Sequence, residues 1–361
     1  MLKKAAALFL VCASMTICVS CGSTSSHYLY AAIPGSNQIV AYREDPNSGV
    51  LTQLTGSPVS AGQAVQSIVI HPSKKFMYAA NSGEGDISLY TISSVGGLTE
   101  VTPRTNVTPD GTAPSLLALD SAGGFLYVGN AGSNNISVFS IDSSTGALTP
   151  VGTPFPIGIT PLNMALSPSG GVLYVTGQGQ TTGFIEAFTL AQGVPQTPGI
   201  SGSPFTTGNS PYGLAIAPGG GVLYAANTLD SSISEFTINA DGSLKEISGS
   251  PIGELAQNSS PVALFIDKSG AFLYVANQGS TSLAAYSIGS DGTLALLTNS
   301  PFGTGSGPGT IAGDSGGKYL FVGNQSSPVI QSFSLDSSNG TLTSVATYGV
   351  TGKPTSIAIA P

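Results

Sequence analysis

Apolar and polar residues alternate along nearly the whole chain from Tyr28 onward, in short runs such as Ile233 to Ile238, and clusters of Gly, Pro, Ser, Asp and Asn interrupt the runs. Alternation of this kind puts successive side chains on opposite faces of a strand, and the interruptions are turn chemistry. The pattern therefore predicts short strands joined by tight loops. A stretch of the form Leu-Tyr-x-x-Asn recurs and sets Tyr30, Tyr78, Tyr127, Tyr174, Tyr224 and Tyr274 in register, with Phe321 in the seventh place. The spacings are 48, 49, 47, 50, 50 and 47 residues. A period of this length, built of strand-length segments, predicts one four-stranded blade per repeat, and hence an all-β, seven-bladed β-propeller.

Each repeat opens on a strand of the form Pro-x-x-apolar-Ala-apolar-x-Pro and turns at a Gly-rich hairpin. It continues through Leu-Tyr-Val-x-Asn and Ile-Ser-x-Phe-x-Ile, and ends on an Asp/Gly turn and a short Leu-Thr strand. Pro211 to Asn227, Ile233 to Ile238 and Leu244 show the unit whole. The first repeat starts directly at Tyr30, without the opening strand. Its counterpart stands at the other end, where Pro354, Ile357, Ala358, Ile359 and Pro361 match that strand. Lys353 to Pro361 is thus expected to be the innermost strand of the blade that holds Tyr30 and Tyr42. Closing the ring in this way removes the unpaired edges an open sheet would present. The opening strands also carry a large residue, Ile68, Leu117, Met164, Leu214, Leu264, Ile311 or Ile357, just before Val69, Ala118, Ala165, Ala215, Phe265, Ala312 or Ala358. Except at Phe265, each blade should offer a bulky face to a small face of its neighbour near the axis.

The first residues differ in kind. Lys3 and Lys4 precede an apolar run from Ala5 to about Val19, too short for a membrane-spanning helix and shaped like a secretory signal. The order Cys18, Val19, Ser20, Cys21 resembles a lipobox, with Cys18 where Leu is usual, and points to cleavage after Ser20 and lipidation of Cys21. The alternative is ordinary cleavage and a soluble periplasmic or secreted product. Gly22 after Cys21 favours the outer membrane. The expected organisation is a signal peptide over 1–20, a lipidated tether over 21–27 and the propeller over 28–361. All three cysteines, Cys12, Cys18 and Cys21, lie in the leader and tether, so the propeller has no thiol for a disulfide, a zinc site or a nucleophile. The ten Lys and Arg, two of them in the leader, face 18 acids, and the only arginines are Arg43 and Arg104. Phosphate neutralisation needs a basic face, so nucleic acid is excluded as a partner.

The Leu-Tyr-Val-x-Asn repeats, the Ile-Ser-x-Phe segments and the recurrent Gly-Ser-Pro at Gly56 to Pro58, Gly202 to Pro204 and Gly249 to Pro251 resemble the seven-bladed lactonase family. That family includes bacterial 6-phosphogluconolactonase and fungal carboxymuconate-lactonising enzymes. The resemblance covers essentially all of the chain after the leader. It implies a propeller with basic and acid/base residues at the channel mouth acting on a lactone. The repeats themselves are core and turn residues, so they speak for the fold more than for an activity.

Several motifs have a structural explanation. Gly-Asp-Ser-Gly-Gly at Gly313 to Gly317 matches a serine-protease signature, but in the repeat alignment Ser315 and Gly316 fall in the same hairpin as Ser169 and Gly170, and as Gly219 and Gly220. The run Gly303, Gly305, Gly307, Gly309 lacks the Gly-Lys-Ser/Thr of a phosphate loop. Acidic turns at Asp45 to Gly49, Asp142 to Gly146 and Asp336 to Gly340 resemble the start of calcium loops without the closing glutamate, and read as hairpin turns. No His, Asp and Glu stand at metal-ligand spacing in the linear sequence, so no metal and no cofactor are expected, although ligands drawn from different blades stay open.

The strongest site signal is the position at the exit of each innermost strand, occupied in turn by His71, Asp120, Ser167, Ala217, Asp267, Asp314 and Ala360. If these converge at one mouth of the channel, His71, Asp120, Asp267 and Asp314 are candidate binding residues, and like charges gathered there would raise one another's pKa. The competing reading has each Asp capping the following turn. Two functions stay open. One is an envelope-anchored, non-catalytic module that binds an envelope protein, a glycan or a small neutral ligand, and meets the membrane only through its lipid. The other is a lactone (ester) hydrolase at the channel mouth. Two histidines in all, His27 near the N-terminus and His71, and no arginine on an innermost strand favour the first.

Overall fold

The computed structural model describes residues 27–107, 109–179, 181–253 and 259–360. Residues 1–26, with Cys12, Cys18 and Cys21 and the expected signal peptide, and the last residue, Pro361, lie outside the described residues. Among the described residues the regular structure is strand, apart from one 3-10 turn at Pro34–Ser36. Seven antiparallel sheets follow one another around a ring. Blades 2 to 7 begin at the innermost strands Val65–Ile70, Pro114–Leu119, Asn163–Leu166, Pro211–Ile216, Pro261–Ile266 and Pro308–Gly313. Blade 1 is built from His27–Ile33, Gln38–Glu44 and Leu51–Gln53, and its innermost strand is Ser356–Ala360 from the far end of the chain. The pairing runs Tyr28 to Ala360, Tyr30 to Ala358 and Ala32 to Ser356, so the expected closure is present, with a strand shorter than its motif.

The packing follows the large-then-small pattern of the innermost strands. Ile68 joins Tyr30, Ala32 and Ala358 between blades 1 and 2, whereas its neighbour Val69 faces Leu117 and Leu126 between blades 2 and 3. Around the ring, Ala118 meets Met164, Ala165 meets Leu214 and Ala312 meets Ile357. At Phe265 two large residues meet, because Phe265 and Ile311 share one interface; Gly313 makes the room, since a Cβ there would sit 2.2 Å from the Phe265 ring. Burying a Leu, Ile or Phe contributes about 1.5–3 kcal/mol each, so these interfaces hold the ring.

The repeated motifs have structural duties. The motif tyrosine of one blade donates its hydroxyl to a carbonyl in the outer turn of the next: Tyr30 to Gly96 at 2.8 Å, Tyr78 to Gly146 at 2.8 Å, Tyr174 to Gly242 at 2.8 Å and Tyr224 to Gly292 at 2.7 Å. Phe321 carries no hydroxyl, and at this seam Leu51 N–H donates to the Tyr348 hydroxyl at 2.8 Å. Asn81, Asn130 and Asn227 donate from Nδ2 into the hairpin that follows them, for example to Ser88 at 2.9 Å. The serine of Gly-Ser-Pro accepts a backbone N–H within its own blade, Ser57 from Ala41 and Ser203 from Ala187. The acidic turns behave as hairpin turns: Asp142 accepts from Ser144 and Thr145, which hold its carboxyl down to about 2, and Gly146 takes a φ of +75°.

Candidate functional site

The innermost strands run the same way along the axis, so the channel has a proximal mouth where they begin and a distal mouth where they end. His71, Asp120, Asp267 and Asp314 stand at the distal ends, each at a hairpin. Their polar atoms serve those hairpins. Asp120 accepts the Phe125 N–H at 2.6 Å. Asp267 accepts from Ser269, Ala271 and Phe272. Asp314 accepts from Gly316, Lys318 and Tyr319. His71 is buried; its Nδ1 lies 2.8 Å from Ser73 Oγ and its Nε2 lies 2.8 Å from the Gly123 carbonyl of the next blade. With Nδ1 also accepting the Ser73 N–H, Nε2 carries the proton and donates it to Gly123. The ring therefore pins two blades together, and Gly123, at a φ of +73°, admits it, since a Cβ there would lie 2.3 Å from Nε2.

Open space lies at the other end. A funnel of about 670 Å³ at the proximal mouth is lined by the first residues of all seven innermost strands. Gln66, Ser67, Ser115, Asn163, Tyr212, Thr310 and Ser356 supply its polar wall, with Thr228, Gln278 and Gln325 from the ends of neighbouring strands. The residues from the innermost strands are the two undefined positions of Pro-x-x-apolar, and that was the signal in the sequence: the place in the repeat where the motif fixes no residue type. None of the described lining residues carries a charge. The wall is partly self-bonded, with Gln278 Nε2 donating to Gln325 Oε1 at 2.8 Å and Thr355 to the Gln66 carbonyl at 2.9 Å. Tyr212 is 46% exposed, so its ring offers an open apolar face beside amides and hydroxyls.

One ionisable cluster escaped the linear reading. His27, which the sequence places in the tether, opens the first strand and is buried. It pairs in register with Glu44 across the strands, and its Nδ1 lies 3.2 Å from Glu44 Oε2. Asp314 of blade 7 stands beside them, and Ser315 Oγ lies 3.5 Å from His27 Nε2. Burial first, then the charges of Asp314 and Asp45, pushes Glu44 up to about 8. Ser315, His27 and Glu44 have the order of a hydrolytic triad. An oxyanion hole beside Ser315 would draw on the turn's N–H groups, however, and Gly316 and Gly317 donate theirs to Asp314.

The family described as a seven-bladed β-propeller lactonase matches residues 57–162 and 164–359. A putative 6-phosphogluconolactonase from Bacteroides fragilis is similar at a TM-score of 0.80 and 20% identity, covering 94% of this chain and 99% of that one. One from Bacteroides uniformis gives 0.80 and 20%, over 93% and 100%. The periplasmic gluconolactonase of Pseudomonas aeruginosa gives 0.77 and 19%, over 93% and 99%. At these identities the likeness concerns the fold. None of the curated proteins compared matches the chain.

Proposed function

The chain belongs to the seven-bladed β-propeller lactonase family, and on that premise we propose that its proximal funnel binds a neutral, hydroxyl-rich ring, a sugar or a sugar lactone, without turning it over. The observation that carries this reading is the uncharged funnel wall. Amides and hydroxyls both donate and accept, as sugar hydroxyls do, and the exposed face of Tyr212 suits the apolar side of a ring. The wall has no carboxylate or imidazole for proton transfer, nor a cation to hold a phosphate or carboxylate. The leader's lipobox-like Cys18 to Cys21 supports export and anchoring of this module at the outer membrane through Cys21, and release from membranes by Cys21→Ser tests it.

A second reading, hydrolysis of a neutral lactone, is favoured by the family and by the neighbour named as a gluconolactonase. A single experiment separates the two. The purified protein is titrated calorimetrically with neutral sugars and lactones, and lactone consumption is followed by NMR in the same samples. Heat without consumption, lost in Tyr212→Ala, supports the binding module. Consumption lost in Tyr212→Ala installs the hydrolase instead.

A further inference from the structure

Three buried side chains from the two ends of the chain meet at the distal side of the ring seam. His27 and Glu44 face each other across the first two strands of blade 1, and Asp314 reaches them from the hairpin of blade 7. Their exposures are 7%, 1% and 6%, and one ligand atom from each lies within 4.8 Å of the other two. We propose that His27, Glu44 and Asp314 form a binding site for a divalent metal of the zinc or manganese class.

The donor set has the chemistry. One imidazole and two carboxylates are the mixed nitrogen and oxygen ligands that such ions take. Two ligands held at about 2.1 Å from one tetrahedral ion are about 3.4 Å apart, and His27 Nδ1 and Glu44 Oε2 are 3.2 Å apart. Asp314 keeps lone pairs free after its turn contacts, since Oδ1 takes the Lys318 and Tyr319 N–H groups and Oδ2 only that of Gly316.

A second observation is independent of the clustering. Glu44 Oε1 is fully buried and has no hydrogen-bond partner among the described residues. Leaving a buried carboxyl oxygen in that state is costly, and neither lysine of the neighbouring hairpins repays it: Lys268 Nζ donates to the Ser315 carbonyl at 2.9 Å and Lys318 is exposed. A divalent ion would satisfy the oxygen and balance the two acids. With Nδ1 on the ion, Nε2 carries the proton and faces Ser315 Oγ at 3.5 Å, the outer contact that fixes a ligating imidazole. The cluster borders open space on its Asp314 side only. Asp314 and Ser315 line a cavity of about 420 Å³ between blades 6 and 7, with Phe265, Ile266 and Leu335 as its apolar wall.

The test uses the purified, tag-free protein, stripped with a chelator and titrated calorimetrically with Zn²⁺ and Mn²⁺, and with Co²⁺ read by its visible absorption. One ion per chain is expected, with a Co²⁺ band of low-symmetry, nitrogen- and oxygen-ligated metal. Glu44→Gln and His27→Phe should each weaken binding at least 100-fold, and Ser315→Ala about 10-fold, the range of outer-shell effects. Glu44→Gln keeps the shape of the side chain, and its circular dichroism melt confirms that the variant folds. Absence of saturable binding for all three ions, meaning that only a shared proton sits between His27 and Glu44, would overturn the proposal. So would equal affinity in wild type, Glu44→Gln and His27→Phe, which would place the ion on surface acids.

Discussion

The two mouths of the channel are built by the same seven strands, yet they are opposites in chemistry. At the proximal mouth, Gln66, Ser67, Asn163 and Tyr212 begin their strands with uncharged side chains that line open space, and the result is an open, uncharged funnel. At the distal mouth the strands end at hairpins whose N–H groups need acceptors, and Asp120, Asp267 and Asp314 supply them. The more reactive residue types thus sit where the backbone already employs them, and the blander ones sit where a ligand has room. An ionisable side chain at a conspicuous repeat position says little about availability until the demands of the local backbone are counted.

The strongest way to break the comparison is to open the ring that both mouths share. A chain ending at Thr351 lacks the strand Ser356–Ala360 and with it Ile357 and Ala358, which pack at the two interfaces flanking blade 1. The expected cost is several kcal/mol, enough to abolish or sharply lower the melting transition. An unchanged melting temperature would show that the seam contributes nothing.

Next in size is the contrast between the mouths themselves. Asp267→Ala leaves the buried Phe272 N–H without its acceptor, along with the less buried Ser269 and Ala271 N–H groups, and the orphaned Phe272 donor should destabilise the fold by about 1–3 kcal/mol. Gln66→Ala at the proximal mouth should stay within about 0.5 kcal/mol. Chemical denaturation of both variants decides it, and equal costs would erase the distinction between employed and free positions. The ligand contrast is the third and runs the other way. Tyr212→Ala and Gln66→Ala should weaken binding of a neutral sugar or lactone about 10-fold or more, whereas His71→Ala should destabilise the protein and leave that affinity unchanged. A 6-phosphogluconolactone should not bind the funnel measurably, and tight binding would require a cation its wall does not contain.

The fold was legible because its determinants repeat. Tyr78 and Tyr224 meet the same turn carbonyl one blade on, so one motif read several times reports several interfaces. The closing strand was legible for the same reason, as the only unit with a piece missing. The sites were harder, and each for a physical cause. Funnel residues vary from blade to blade among Gln, Ser, Asn, Tyr and Thr, so no motif marks them. His71 and Asp314 stood in one register position but meet different demands, His71 those of its own turn and of Gly123 in the next blade, Asp314 those of its own hairpin. His27 and Glu44 belong to a cross-strand pair completed by a residue nearly 300 positions away, a closeness produced by ring closure and by no local pattern.

The smallest expected effect concerns a third kind of acid, neither in a hairpin nor at a mouth. Glu235 lies on the strand Ser232–Ile238 of blade 5, only 2% exposed, with Oε1 accepting the Leu294 N–H of blade 6 at 2.9 Å. Burial raises its pKa above the ordinary 4.5, and the hydrogen bond from Leu294 opposes the shift only in part. The folded state therefore holds this proton more tightly than the unfolded chain. Its contribution to stability is fully present below the unfolded value of 4.5 and is lost as pH rises through the higher folded value. Glu235→Gln cannot ionise and keeps an acceptor for Leu294, so the variant should gain on wild type as pH rises above 4.5. Half-buried Glu186, raised by the same cause, leaves part of the slope in place. Denaturation midpoints of both proteins from acid to neutral pH measure the difference. Parallel curves would mean that Leu294 compensates the burial in full, and that an acid between blades can be as well served as Asp314 in its turn.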